Sequence, residues 1–152
     1  MENINIFKED LIFMNIKGKD RNDVLSILAT ELYDRGYVKD TYKDAIIQRE
    51  KNNPTGLPTM GVKVALPHTD TIHVNEPAIA LGILEEPVIF EDMGSGEELE
   101  VEIVFMLAVK NPSAQVKVLK KLIDLFQDSE LLISLKNSEN KSEAYRLIQE
   151  NL

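Results

Sequence analysis

Residues Val101 to Val109 read VEIVFMLAV: polar and apolar side chains alternate once, and from Ile103 onward every residue is apolar. A strand with one face in water alternates along its whole length, so an uninterrupted run of this kind needs apolar cover on both faces. Helices are the elements that supply such cover. The same run is far too short to cross a bilayer. The rest of the chain must therefore provide amphipathic helices on both sides of the sheet that contains this segment.

Those helices are visible in the pattern. Asp20 offers an N-cap to the first, with Val24, Leu25, Ile27, Leu28 and Leu32 on a broad apolar face and Gly36 as its stop. The second begins near Asp40 or Thr41, carries Tyr42, Ala45, Ile46 and Ile47, and runs out in Arg49 to Asn53 ahead of Pro54. The third opens on Asn111 as cap with Pro112 at the first helical position. Its face of Val116, Leu119, Leu122, Ile123 and Phe126 is predicted to pack on the sheet. Short helices near Glu130 to Leu135 and Ser142 to Gln149 complete the set.

Further strands are predicted over Leu11 to Ile16, Val62 to Leu66, Ala78 to Leu84 and Val88 to Phe90. Glu85-Glu86-Pro87 reads as a turn between the last two, and Gly82 marks a close backbone approach or a bulge. Pro54 to Gly61 reads as a breaker-rich loop. Strands interleaved with helices, with no internal repeat, give the expectation of one α/β domain over residues 1–152, a three-layer sandwich with a mixed β-sheet flanked by helices.

Several chemistries are excluded by what the chain lacks. It has no cysteine, which removes disulfides, thiolate metal sites and cysteine nucleophiles together and fits a reducing compartment. The first residues carry neither a basic nor an apolar region, so a cytoplasmic protein without direct membrane insertion is expected. A formal net charge of −9 opposes binding to nucleic acid or an anionic membrane surface and favours a basic partner. No phosphate-binding glycine motif and no nucleophile elbow is present. His68 and His73, with Asp70 between them, lack a third histidine or a cysteine to complete a metal site, so neither metal nor cofactor is expected.

Both histidines fall in one stretch, Gly61 to His73. Pro67 cannot donate a ladder hydrogen bond, so the predicted strand Val62 to Leu66 ends there and His68 stands just past it, on a rigid base yet reachable by another protein. A solvated loop histidine is the simpler reading of that segment alone. The functional one is histidine as nucleophile, because a neutral imidazole attacks phosphorus near neutral pH without a cofactor. A phosphorylated imidazole needs donors, for which the backbone N–H groups after His68, the Thr69 hydroxyl and Arg49 are candidates. Arg49, in the last turn of its helix, reads either as a cation complementing the helix end or as a guanidinium aimed at an anion.

Four segments, Tyr37 to Glu50, Pro54 to Leu57, Val64 to His68 and Leu107 to Leu122, resemble in order and spacing the enzyme IIA domain of the mannitol/fructose class of the phosphoenolpyruvate-dependent sugar phosphotransferase system. The continuation from Pro67 to His73, with Pro54-Thr55-Gly56, looks most like the galactitol-type branch. The resemblance implies an α/β sandwich in which His68 takes a phosphoryl group from the phosphohistidine of the carrier HPr. It implies that the group then passes to a cysteine of enzyme IIB, which serves the membrane enzyme IIC. Arg49 falls on the family's active-site arginine. Where mannitol- and fructose-type members carry a second histidine this chain has Gln115, which can still donate to a phosphoryl group and which argues against mannitol as the sugar. His73 is left as polar support or as a histidine that this branch merely carries. A regulatory phosphoacceptor of the nitrogen-type enzyme IIA kind and a hydrolase using His68 with Asp70 are the competing readings.

Overall fold

The computed structural model describes residues 6–151, and in it the apolar run lies at the centre. The five-stranded sheet has the order β1-β4-β5-β3-β2, with β1 at Phe7–Ile16, β2 at Gly56–Leu57, β3 at Lys63–Ala65, β4 at Ala78–Glu91 and β5 at Glu98–Ala108. It is mixed: β1 with β4 and β3 with β5 are parallel, β4 with β5 and β2 with β3 antiparallel. Side chains alternate across β5 as the pleat requires. Ile103, Phe105 and Leu107 enter one apolar cluster, Val104, Met106 and Ala108 the other.

Helices close both sides. α1 (Arg21–Asp34) and α2 (Tyr42–Asn52) cover the Val104 face through Val24, Leu25, Leu28, Leu32, Tyr42 and Ile46. α3 (Pro112–Leu125), α4 (Ser129–Lys136) and α5 (Lys141–Asn151) cover the Phe105 face through Val118, Leu122, Leu132, Leu135, Ala144 and Ile148. The three-layer sandwich with a mixed sheet is therefore observed. The expected caps are in place as well: Asp20 accepts from the Asp23 N–H, Asn111 from the Ala114 N–H, and Gly36 takes φ +84° after α1. Among the described residues no helix is long and apolar enough to cross a membrane.

Four expectations need correction. Glu85-Glu86-Pro87 is not a turn: Ala78–Leu84 and Val88–Phe90 are one strand, both halves pairing with β5, and the extra residues bulge out between the pairs Ile83–Ile103 and Val88–Val101. A bulge tolerates a proline that lacks a ladder N–H, and no local signal reveals that the partner strand continues beyond it. The stretch Pro54 to Gly61 is not all loop, since Gly56–Leu57 forms β2 against Val64–Ala65. On α3 the buried stripe is Val118, Leu122 and Phe126, while Val116 lies two positions, about 200°, round the helix from Val118 and is 51% exposed. At Gly82 the close approach comes from side chains, because a Cβ there would stand 3.0 Å from Ile16 and 3.1 Å from Leu28.

β1 is irregular. Its pairing with β4 slips between Phe7 and Ile12 and again between Phe13 and Ile16, where Asn15 takes φ +53°. α5 packs against this strand.

Candidate functional site

The topology brings three separate segments to one end of the sheet. β3 and β5 run parallel, so His68, just past β3, and the start of α3, just past β5, lie at the same end. β2 is antiparallel to β3 with Gly56 opposite Ala65, which places the end of α2 there too. Arg49, Thr55, His68, Thr69 and Gln115 are thereby neighbours although 66 positions separate the first from the last.

β3 ends at Ala65, and Pro67, two residues on, still touches the sheet, since its carbonyl accepts the Leu107 N–H at 2.9 Å. His68 follows at 9% exposure, more enclosed than a free loop side chain. Its Nδ1 lies 2.7 Å from the Leu66 carbonyl oxygen. A carbonyl oxygen only accepts, so the ring proton belongs on Nδ1 and the lone pair on Nε2. Burial holds the imidazole below its ordinary range; the Leu66 carbonyl opposes that shift and the Arg49 charge adds to it. The ring is accordingly a neutral base near neutral pH.

Two adjoining depressions share Arg49, His68 and Leu119. One is completed by Asn52 to Thr55 with Met93 and Ile123, the other by Thr69 to Thr71 with Pro112, Gln115 and Val116. Arg49 Nη1 donates to the Asn53 carbonyl at 3.1 Å, so it serves the helix end and stands beside His68 at once. Thr69 is buried and its carbonyl accepts from Gln115 Nε2 at 3.0 Å, which ties the residue after the histidine to the first turn of α3. His73 is not brought to this place. It lines neither depression, and its Nδ1 meets Thr41 Oγ1 at 2.7 Å while its carbonyl accepts the Lys39 N–H at 2.8 Å.

The reading of the sequence missed two residues, Glu50 and Thr55, each 1% exposed. Glu50 Oε2 accepts the Thr55 N–H and Oε1 the Thr55 hydroxyl, both at 2.7 Å. The Leu66 N–H reaches both the hydroxyl and the carbonyl oxygen of Thr55 at 3.2 Å. Burial pushes the Glu50 carboxyl up, against the two Thr55 bonds and the charges of Arg21 and Arg49, which pull it down. The i, i+4 series Tyr42, Ile46, Glu50 was the available signal, because it continues the buried stripe of α2 onto a carboxylate.

The family model described as "Phosphoenolpyruvate-dependent sugar phosphotransferase system, EIIA 2" matches residues 5–151. The galactitol-specific EIIA component of Escherichia coli (strain K12) is 33% identical over 116 residues, which cover 76% of this chain and 77% of that protein. The fold is shared with enzyme IIA-mannitol of Escherichia coli in its complex with phosphorylated enzyme IIB-mannitol, at TM-score 0.77 and 23% identity over 95% of this chain and 99% of that one. It is shared equally with the nitrogen regulatory protein IIA-Ntr of Neisseria meningitidis, at TM-score 0.77 and 22% identity over 97% and 99% of the two chains.

Proposed function

The chain belongs to the EIIA type-2 family of the phosphoenolpyruvate-dependent sugar phosphotransferase system, and from that premise we propose that residues 1–152 form one EIIA domain, a cytoplasmic phosphocarrier that accepts a phosphoryl group on His68. The donor is the phosphohistidine of HPr. The acceptor is a cysteine of an enzyme IIB, which serves a membrane enzyme IIC for a galactitol-type sugar. One observation carries the reading: His68 Nδ1 is engaged by the Leu66 carbonyl at 2.7 Å, leaving Nε2 as the ring's nucleophile in a depression shared with Arg49.

In the first step the Nε2 lone pair attacks the phosphorus of the donor phosphohistidine. A new N–P bond forms, and the donor's P–N bond breaks with its electron pair returning to the donor ring. The Nδ1 proton stays where it is, and the Leu66 carbonyl stabilises the positive charge that the ring gains. The Arg49 guanidinium compensates the phosphoryl oxygens, for which its planar fork is suited. In the second step a thiolate attacks phosphorus, the P–Nε2 bond breaks, and the neutral ring is restored with the proton still on Nδ1.

The test is incubation with phosphoenolpyruvate, enzyme I and HPr. The expected product is an acid-labile, base-stable phosphate on His68, absent in His68→Ala and discharged by the cognate enzyme IIB. Undiminished labelling of a folded His68→Ala would end the assignment. Labelling that no enzyme IIB can discharge would favour a regulatory phosphoacceptor over a transport subunit.

A further inference from the structure

We propose that Glu50 and Thr55 are positioning residues for His68, holding Leu66 so that its carbonyl fixes the ring as the Nδ1–H tautomer with Nε2 free to react. The inference rests on the reading of His68 as the phosphoacceptor and adds to it the device that sets the ring.

Each link has a defined direction. The Thr55 hydroxyl donates its one proton to Glu50 Oε1, 2.7 Å away. The lone pairs of that hydroxyl are then left for the Leu66 N–H at 3.2 Å, which the Thr55 carbonyl also receives at 3.2 Å. The Thr55 N–H on Glu50 Oε2 fixes the second edge of the carboxylate. Leu66 is thus held on its N–H side by one residue in two ways, and its own carbonyl takes the Nδ1–H of His68 at 2.7 Å. The chain Glu50, Thr55, Leu66, His68 is buried at every member.

Stability alone does not call for this arrangement. The apolar stripe of Tyr42 and Ile46 continues one turn on into Glu50, where an aliphatic side chain would extend the core without the desolvation cost of a carboxylate. What an aliphatic side chain would not do is orient Thr55. With the Leu66 N–H released, a change in the backbone dihedrals of Leu66 would turn its carbonyl away from Nδ1, and the imidazole proton would then be free to move to Nε2, which removes the nucleophilic lone pair.

The experiment compares wild type with Glu50→Gln, Thr55→Val and Thr55→Ser. Its two readouts are the long-range 1H–15N spectrum of the His68 ring in the unphosphorylated chain and the rate of phosphate uptake from phospho-HPr. Thermal melts show which variants are folded. Wild type is expected to give the Nδ1–H pattern. Glu50→Gln, which is nearly isosteric, and Thr55→Val are expected to shift the ring toward a tautomer mixture and to slow uptake by about tenfold or more. Thr55→Ser keeps the hydroxyl and is expected to restore both. An unchanged ring spectrum or an unchanged rate in folded Glu50→Gln overturns the proposal, as does wild type in the Nε2–H form. If wild-type His68 takes no phosphate, the phosphoacceptor reading fails instead. That failure is told apart because the ring spectrum needs no phosphate and reports on Glu50 and Thr55 by itself.

Discussion

Tyr42 donates its hydroxyl to the Leu107 carbonyl across 2.6 Å, with both residues fully buried. The bond ties the first turn of α2 to β5, at the same residue whose N–H holds the Pro67 carbonyl. Burial drives the phenol pKa far up, so the hydroxyl remains a donor throughout the physiological range. Tyr42→Phe removes the donor and leaves a buried carbonyl with one partner fewer. The expected loss is about 1–2 kcal/mol of stability, read as a lower urea midpoint with an unchanged slope. A midpoint equal to wild type would mean that the bond contributes nothing net.

Arg49→Lys separates the two things the guanidinium does. A lysine ammonium still complements the last carbonyls of α2, so the melting temperature should stay close to wild type. The planar two-point contact proposed for the phosphoryl group would be lost, and phosphate uptake should slow by about tenfold. Wild-type uptake by the lysine variant would reduce Arg49 to a cation at a helix end.

The pH dependence follows from the shift at His68. Its folded pKa lies below the unfolded value of about 6.5, because burial and the Arg49 charge disfavour the imidazolium. Between the two values the unfolded chain binds more protons than the folded one. The contribution to stability is therefore complete above the unfolded pKa and is lost as pH falls through the folded one. Phosphate uptake should stay level from pH 8 to below the ordinary imidazole range, roughly 6.5, and decline only in more acid solution. An NMR titration midpoint for His68 at or above that of the urea-unfolded chain would contradict this.

His73 and Gln115 should behave differently from His68 and from each other. His73→Gln loses a partner of Thr41 outside both depressions, and it should still accept phosphate on His68 at close to the wild-type rate. Gln115→Ala frees the Thr69 carbonyl. It should slow transfer by no more than one hydrogen bond to a charged group is worth, about 1.5–3 kcal/mol. Phosphate mapped to His73 in wild type would reverse this order.

What could be read in the chain and what could not divide along a physical line. Asp20, Gly36, Asn111 and Pro112 act within a few residues of where they stand, and the helix ends expected from them are observed. The continuous apolar run of β5 likewise states its own double burial. Glu85 to Pro87 has every local mark of a turn, and only the unbroken partner strand makes it a bulge. Glu50 is a surface residue by composition and a buried one by fold. His68 could be singled out because a proline stands between it and an apolar strand, although the strand itself stops at Ala65, one residue short of the expected Leu66. The link from Nδ1 to Leu66 depends on a backbone orientation that Thr55, eleven residues earlier, helps to set.

The irregular pairing of β1 bears on how copies of this protein meet one another in concentrated solution. A straight outer strand offers its unpaired ladder as a template for another chain. Here the first slip in register falls on Lys8-Glu9-Asp10, all exposed, and the second on Asn15 with its left-handed backbone. A second copy approaching that edge would meet one cation and two carboxylates in a row and a twisted, interrupted ladder, with α5 lying alongside. At the opposite edge β2 offers two residues, too few to seed a shared sheet. Both borders of the sheet thus resist edge-to-edge aggregation.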